Sequence, residues 1–172
     1  IIVLVGPSAC GKDTIARILE KKFGYNFIVS TTTRPIRSGE SESNPYHFVD
    51  NDYFNKLIDE DKLIEYRSYS TLVNNSPDIW YYGVEETEVK ENCKYIVVLD
   101  ITGLREFKKF FKKRVVAFFL KVDDETRKIR CMNRGDFNES EWNRRLSDDK
   151  KVFNQDDIEK YIDFIIENPD GD

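Results

Sequence analysis

Gly6-Pro7-Ser8-Ala9-Cys10-Gly11-Lys12 fits the spacing G-x-x-x-x-G-K, and its flanks restrict the fold more than any other stretch of the chain. Ahead of it, Ile1 to Val5 is a β-branched apolar run too short for a helix and ending in turn residues, which predicts a buried strand. Behind it, Ile15, Ile18, Leu19 and Phe23 recur at helical spacing, with Lys21 and Lys22 in the last turn and Gly24 as the stop signal. A strand, a glycine loop and a helix in that order make an anion cradle. The glycines let several backbone N–H groups converge, the helix N-terminus adds its dipole, and Lys12 supplies a point charge to the β and γ phosphates of a nucleotide. The candidate phosphate-binding residues are Gly6, Pro7, Ser8, Ala9, Cys10, Gly11, Lys12, Asp13 and Thr14. Asp13 stands where a Ser or Thr hydroxyl normally takes magnesium; it either binds Mg²⁺, directly or through water, or only caps the helix while Thr14 meets the phosphate. Cys10 reads as a small filler, because phosphoryl transfer between oxygens needs no thiol.

The remaining pattern continues an α/β rhythm. Buried strands are expected at Phe27 to Ser30, Tyr95 to Leu99, Val115 to Val122 and Phe164 to Ile166, and helices at Leu104 to Lys112 and Glu125 to Asn133. Alternation of this kind implies a parallel sheet covered on both faces. Two stretches interrupt it. Residues 31–84 are rich in Thr, Ser, Asn, Tyr and Asp and read as an inserted lobe with mixed signals at Tyr46 to Val49, Tyr53 to Ile58 and Leu63 to Tyr69, and a long turn at Thr71 to Ile79. Residues 127–146 carry Arg127, Arg130, Arg134, Arg144 and Arg145 around Gly135 and read as a mobile basic flap.

With 172 residues, 40% hydrophobic and 34% charged, one folded domain is expected. The longest apolar runs fall far short of the roughly 20 residues that a membrane-spanning helix needs. Three cysteines spread along the chain give no disulfide framework, so a cytoplasmic protein is expected. A net charge of -5 argues against a protein that coats nucleic acid. Because Ile1 opens the chain and Met132 is its one methionine, a trimmed end is expected.

Ser30-Thr31-Thr32-Thr33-Arg34-Pro35-Ile36-Arg37-Ser38-Gly39-Glu40, followed by Tyr46-His47-Phe48-Val49, resembles the S-x-T-T-R-x-x-R-x-G-E and Y-x-F-V segments of the guanylate kinase family. Leu63-Ile64-Glu65-Tyr66 resembles that family's F-I-E-W/Y segment and Tyr82-Gly83 its Y-G, so the likeness covers nearly the whole chain. It implies a three-layer fold of the P-loop NTPase type with a parallel central sheet, a nucleoside-monophosphate lobe at 31–84, an arginine-rich lid at 127–146, and a core of 1–30, 85–126 and 147–172. The acceptor phosphate is then held by Arg34, Arg37, Tyr46 and Tyr82, a set able to grip a dianion with charge-assisted bonds while leaving one oxygen free to attack. Guanine offers paired N–H donors on one edge, which the family pattern gives to Glu65, and an O6 acceptor, which it gives to Ser30. The plain alternative for Glu65 is a solvated strand residue.

Arg130-Cys131-Met132-Asn133-Arg134-Gly135 and Arg145-Leu146 resemble the family lid, which makes Arg130, Arg134 and Arg145, with Lys12 and Arg34, the candidate catalytic residues. Arg127 and Arg144 match nothing definite and read as solvated. Asp100 matches a family aspartate and either contacts the acceptor nucleoside, orients Mg²⁺ through water, or caps the helix at Leu104. Val84 and Thr102 depart from the family's polar residues, and His47 reads as structural. The likeness implies an ATP-dependent, Mg²⁺-assisted kinase for GMP or dGMP, with nucleotides as its partners, no nucleic acid or membrane, and a monomer or homodimer. The other readings are a ribose bisphosphate kinase and a non-catalytic phosphopeptide-binding domain.

Overall fold

The computed structural model describes residues 1–36, 39–73, 76–133, 137–153 and 155–167, and it divides into two compact units. The first comprises residues 1–25 and 96–172, the second residues 26–95.

The first unit is built on parallel strands. β1 (Ile2–Val5), β7 (Tyr95–Val98), β8 (Val116–Lys121) and β9 (Phe164–Glu167) lie in the order β7-β1-β8-β9. β1 is central, with Val3 paired to Val97 on one side and to Ala117 on the other. Its β-branched run fits because Val3, Leu4 and Val5 are all buried, as expected for a parallel strand covered on both faces. The helices are α1 (Lys12–Phe23), α3 (Ile101–Phe111), α4 (Asp124–Asn133), α5 (Glu139–Val152) and α6 (Gln155–Tyr161). α1 stops where the sequence expects: Gly24 takes the left-handed conformation (φ 67°) and its N–H closes on the Glu20 carbonyl. Leu104 and Phe107 seat α3 in the core, and Asp100 caps it, its side chain accepting from the Gly103 N–H at 2.8 Å. No helix among the described residues is long and apolar enough to cross a membrane.

The second unit contains β2 (Asn26–Phe27), α2 (Asn51–Asp59) and a mixed sheet of β3 (Ser30–Thr32), β4 (Tyr46–Phe48), β5 (Leu63–Val73) and β6 (Ser76–Glu85) in the order β4-β3-β6-β5. β3 runs parallel to β4 and antiparallel to β6, and β5 and β6 form a long hairpin. Two expectations are corrected. The single strand expected from Phe27 to Ser30 is two strands, because Ser30 to Thr32 pairs with β4 and β6 instead of continuing β2. The long turn expected at Thr71 to Ile79 is strand on both sides: Thr71 pairs with Asp78 and Val73 with Ser76, so cross-strand pairing overrides the polar composition. Asn74 and Asn75 lie outside the described residues.

Side chains alternate across this sheet and directly paired residues share a face. Ser30, Tyr46, Tyr82, Val84, Glu65 and Arg67 therefore fall on one face, whereas Thr31, Gly83, Tyr66 and Tyr81 fall on the other. α2 covers that second face. Its wholly buried Phe54 stacks at 5.4 Å from the Tyr81 ring and 6.5 Å from Tyr66, and Asp50 caps the helix through the Tyr53 N–H. Gly83 permits this approach. A Cβ there would stand 2.9 Å from the Glu65 carbonyl oxygen and 3.2 Å from the Phe54 ring, so the small residue follows from lack of space.

Candidate functional site

In the first unit the loop after β1 curls as its glycines allow. Gly6 (φ 152°) and Gly11 (φ 94°) both take positive φ, and Gly11 occupies the N-cap of α1. The first-turn N–H groups of Lys12, Asp13 and Thr14 lack intrahelical acceptors by geometry and are the donors such a cradle presents to an anion. Lys12 folds back over the loop, its Nζ donating to the carbonyls of Gly6 (2.7 Å) and Pro7 (2.8 Å). Buried Cys10 fills the space beneath, its Sγ 3.6 Å from Nζ. Asp13 is exposed in the first turn of α1; the cap is Gly11.

Arg127, read as solvated from the sequence, is the principal correction. It is 2% exposed, and its Nη1 donates both to Asp149 (2.7 Å) and to the Ser8 carbonyl (3.1 Å), while Nη2 donates to Asp124 (2.6 Å). Asp149 also accepts from the Ser8 N–H at 3.1 Å, and the guanidinium lies 5.4 Å from the Trp142 ring. Burial disfavours the charged guanidinium, but the bonds to Asp124 and Asp149 outweigh it and hold its pKa above the ordinary arginine value. Asp149 and Ser8 lie 22 and 119 residues away and leave no local signal, which is why arginine composition alone suggests a solvated face.

Arg130, one turn further along α4, points its Nη1 toward the Ala9 carbonyl at 3.5 Å. Arg145 on α5 donates to Glu141 at 2.7 Å, and Arg144, half-exposed, pairs with Glu141 and Asp148. Glu141 is pulled from its ordinary value of 4.5 to about 2, chiefly by the bond from Arg144, against the opposing effect of partial burial, with Arg145 adding to the pull. Arg134 lies outside the described residues, as does Arg37.

In the second unit the shared face of the mixed sheet collects Ser30, Tyr46, Glu65 and Tyr82. Arg34, just past β3, comes to the same rings: its guanidinium is 5.4 Å from the centroids of both Tyr46 and Phe48. It is buried, and its Nη2 donates to both carboxylate oxygens of Glu40 at 2.8 and 2.9 Å. The Tyr82 ring meets Tyr46 at 5.6 Å and Tyr69 at 5.5 Å edge-on, a rigid aromatic wall. Glu65 is only 3% exposed, so its reading as a solvated strand residue is overturned. A bulge precedes it: Leu63 pairs with Glu85 but Glu65 with the adjacent Val84, and the extra residue, Ile64, re-aims the side chains after it. Arg67, two residues on, donates to Glu65 at 2.6 Å. Strand periodicity from Glu65 to Arg67 is the signal that would have found it. His47 is held between Glu42 (2.7 Å) and Glu88 (3.6 Å), and the bond to His47 lowers the Glu42 pKa.

The arrangement thus offers a cationic backbone cradle in one unit and, in the other, a face with a buried carboxylate, arginine and tyrosine hydroxyls. The guanylate kinase family model matches residues 1–172. The chain is 36% identical over 173 residues to the guanylate kinase of Wigglesworthia glossinidia brevipalpis, an alignment covering 95% of this chain and 77% of that protein. It is 32% identical over 136 residues to that of Mycolicibacterium paratuberculosis, where 78% of this chain matches only 60% of the relative's length. The crystal structure of guanylate kinase from Anaplasma phagocytophilum superposes with a TM-score of 0.63 at 25% identity, covering 98% of this chain and 76% of the other.

Proposed function

Since this chain belongs to the guanylate kinase family, we propose that it transfers the γ-phosphoryl group of ATP to GMP or dGMP, giving ADP and GDP or dGDP. The observation that carries the reading is the buried Glu65 carboxylate on the same sheet face as Ser30, Tyr46 and Tyr82, an acceptor of the kind that guanine's paired N–H edge requires. Adenine lacks that edge.

In this mechanism an oxygen of the GMP phosphate attacks the γ phosphorus in line as the bond to the β-bridging oxygen breaks, and the electron pair leaves with ADP. Arg34, Arg37, Tyr46 and Tyr82 hold the acceptor phosphate, and Glu65 and Ser30 orient the base. The loop from Gly6 to Thr14 holds the donor phosphates. Lys12, released from the Gly6 and Pro7 carbonyls, and Arg130, Arg134 and Arg145, brought in by a lid over residues 127–146, neutralise charge on the moving phosphoryl group and exclude water. Positioning and electrostatics carry the rate, so no covalent intermediate is involved.

Among the described residues no group of three or more His, Cys, Asp or Glu side chains gathers to hold a metal. Mg²⁺ is commonly bound by one or two carboxylates together with substrate phosphates and water, so the lone exposed Asp13 at the start of α1 fits it, directly or through water. When bound, the ion offsets phosphate charge. We place the protein in the cytoplasm as a monomer or homodimer acting on free nucleotides, with neither nucleic acid nor membrane as partner.

A coupled ADP-release assay with Mg·ATP across the common ribo- and deoxyribonucleoside monophosphates tests the reading. Turnover with GMP or dGMP, well above AMP, CMP and UMP, is expected. Turnover of a ribose bisphosphate instead, or retained phosphopeptide affinity without ATP binding, would replace it with one of the two other readings.

A further inference from the structure

One ion pair captures both backbone polar groups of Ser8. The N–H of Ser8 donates to Asp149 Oδ2 at 3.1 Å, its carbonyl accepts from Arg127 Nη1 at 3.1 Å, and Nη1 and Oδ2 are themselves 2.7 Å apart. The result is a closed ring joining the middle of the phosphate loop to α4, which carries Arg127, and to α5, which carries Asp149. Arg127 is anchored a second time by Asp124 at 2.6 Å and rests against Trp142. Its Nε is buried with no hydrogen-bond partner among the described residues, so the guanidinium forgoes one bond while keeping both Nη atoms on acceptors.

Stability alone does not explain such a pair. Burying two charges gives up hydration that their attraction recovers only in part, and well-packed apolar residues at such positions are often as stable or more so. What apolar residues cannot do is fix the peptide groups on either side of Ser8. We propose that Arg127 and Asp149 are positioning residues that hold the phosphate loop in its anion-binding curvature before the donor nucleotide arrives, and that couple the loop to the two helices bearing Arg130 and Arg145. The proposal rests on the reading of the loop as the donor site.

Fixing Ser8 in advance removes an ordering cost that a slack loop would incur on binding. Ser8's own N–H is committed to Asp149, so the donors facing phosphate come from later in the loop and from the first turn of α1. The Ala9 carbonyl, directly after the clamped residue, is the group toward which Arg130 points. Loop and helices are therefore linked at consecutive residues, Ser8 and Ala9, and donor binding is felt by the elements that carry the lid arginines.

The test compares the parent with Arg127→Leu/Asp149→Leu, which removes both charges together, and with Arg127→Lys, which keeps the charge but loses the fork that reaches Ser8, Asp149 and Asp124 at once. Isothermal titration measures the affinity of each for the non-hydrolysable ATP analogue AMP-PNP with Mg²⁺ and, separately, for GMP; thermal melts accompany them. The double variant is expected to melt within a few degrees of the parent, to bind AMP-PNP about tenfold more weakly, equivalent to about 1.4 kcal/mol, and to bind GMP within about twofold of the parent. Arg127→Lys is expected to fall between. Unchanged AMP-PNP affinity, or weakening of both ligands in parallel, overturns the proposal. Should the double variant not fold, Arg127→Lys decides by the same criterion. A parent that fails to bind AMP-PNP would instead remove the donor-site reading itself.

Discussion

Gly6→Ala tests whether the loop's shape is set by backbone geometry. Two penalties add at this position. The φ of 152° is a conformation that side-chain-bearing residues rarely adopt, worth about 1–3 kcal/mol. The new Cβ would also stand 2.7 Å from the Leu120 carbonyl oxygen and 2.9 Å from Cys10 Sγ, and neither neighbour can yield easily: the first is main chain of β8, the second wholly buried. Relief by overpacking costs about another 1–3 kcal/mol. A total near 4 kcal/mol corresponds, for a chain of this length, to a melting temperature lowered by about 8–16 °C. Gly24→Ala is the internal control. Its φ is 67° but nothing lies within 4 Å of the added Cβ, so only the left-handed penalty of about 1–2 kcal/mol applies. Circular-dichroism melts of both variants without nucleotide provide the readout. If Gly6→Ala melts no lower than Gly24→Ala, the steric account of the loop is wrong.

Lys12→Ala is expected to lower kcat by roughly 10²–10³-fold, with KM for GMP within about twofold, in a steady-state ADP-release assay. Glu65→Gln is expected to lower kcat/KM for GMP by about 10–100-fold while leaving that for AMP nearly unchanged, because a carboxylate's charge-assisted bonds are worth about 1.5–3 kcal/mol; equal effects on both nucleotides would refute the base assignment. Because the pKa of Glu141 is depressed from 4.5 to about 2, its ion pairs with Arg144 and Arg145 stabilise the fold fully above pH 4.5, and the contribution is lost as pH falls toward 2. The stability gap between the parent and Glu141→Gln, about 1 kcal/mol or less for such exposed pairs, should therefore close over that window in acid-titration melts.

The elements that periodicity and punctuation define were legible in the chain. Ile2–Val5, the Gly24 stop of α1, the buried run of β8 and the parallel order they imply all follow from local patterns. The hairpin of β5 and β6 was not, because Ser76, Pro77 and Asp78 are poor strand formers whose conformation is set by their pairing with Val73, Leu72 and Thr71 in turn. For the site, the resemblance to the guanylate kinase segments led to Ser30, Tyr46, Glu65 and Tyr82, and alternation through the sheet gathers them on one face. Arg127 and Asp149 escaped because their meaning lies in a contact with Ser8, more than a hundred residues earlier in the chain. Arg67 escaped because it matches no motif segment and its part follows only from sharing Glu65's face of β5 two residues on, where it donates to that carboxylate.

The proposed reaction requires two separate nucleotide sites in one chain, the donor's on the loop around Lys12 and the acceptor's on the sheet face around Glu65. Equilibrium titration of AMP-PNP and of GMP, each alone, into the parent, Lys12→Ala and Glu65→Gln tests that requirement directly. A crossed pattern is expected: Lys12→Ala loses AMP-PNP affinity and keeps GMP, and Glu65→Gln does the reverse. Loss of both ligands in either folded variant, or of neither in both, would contradict it.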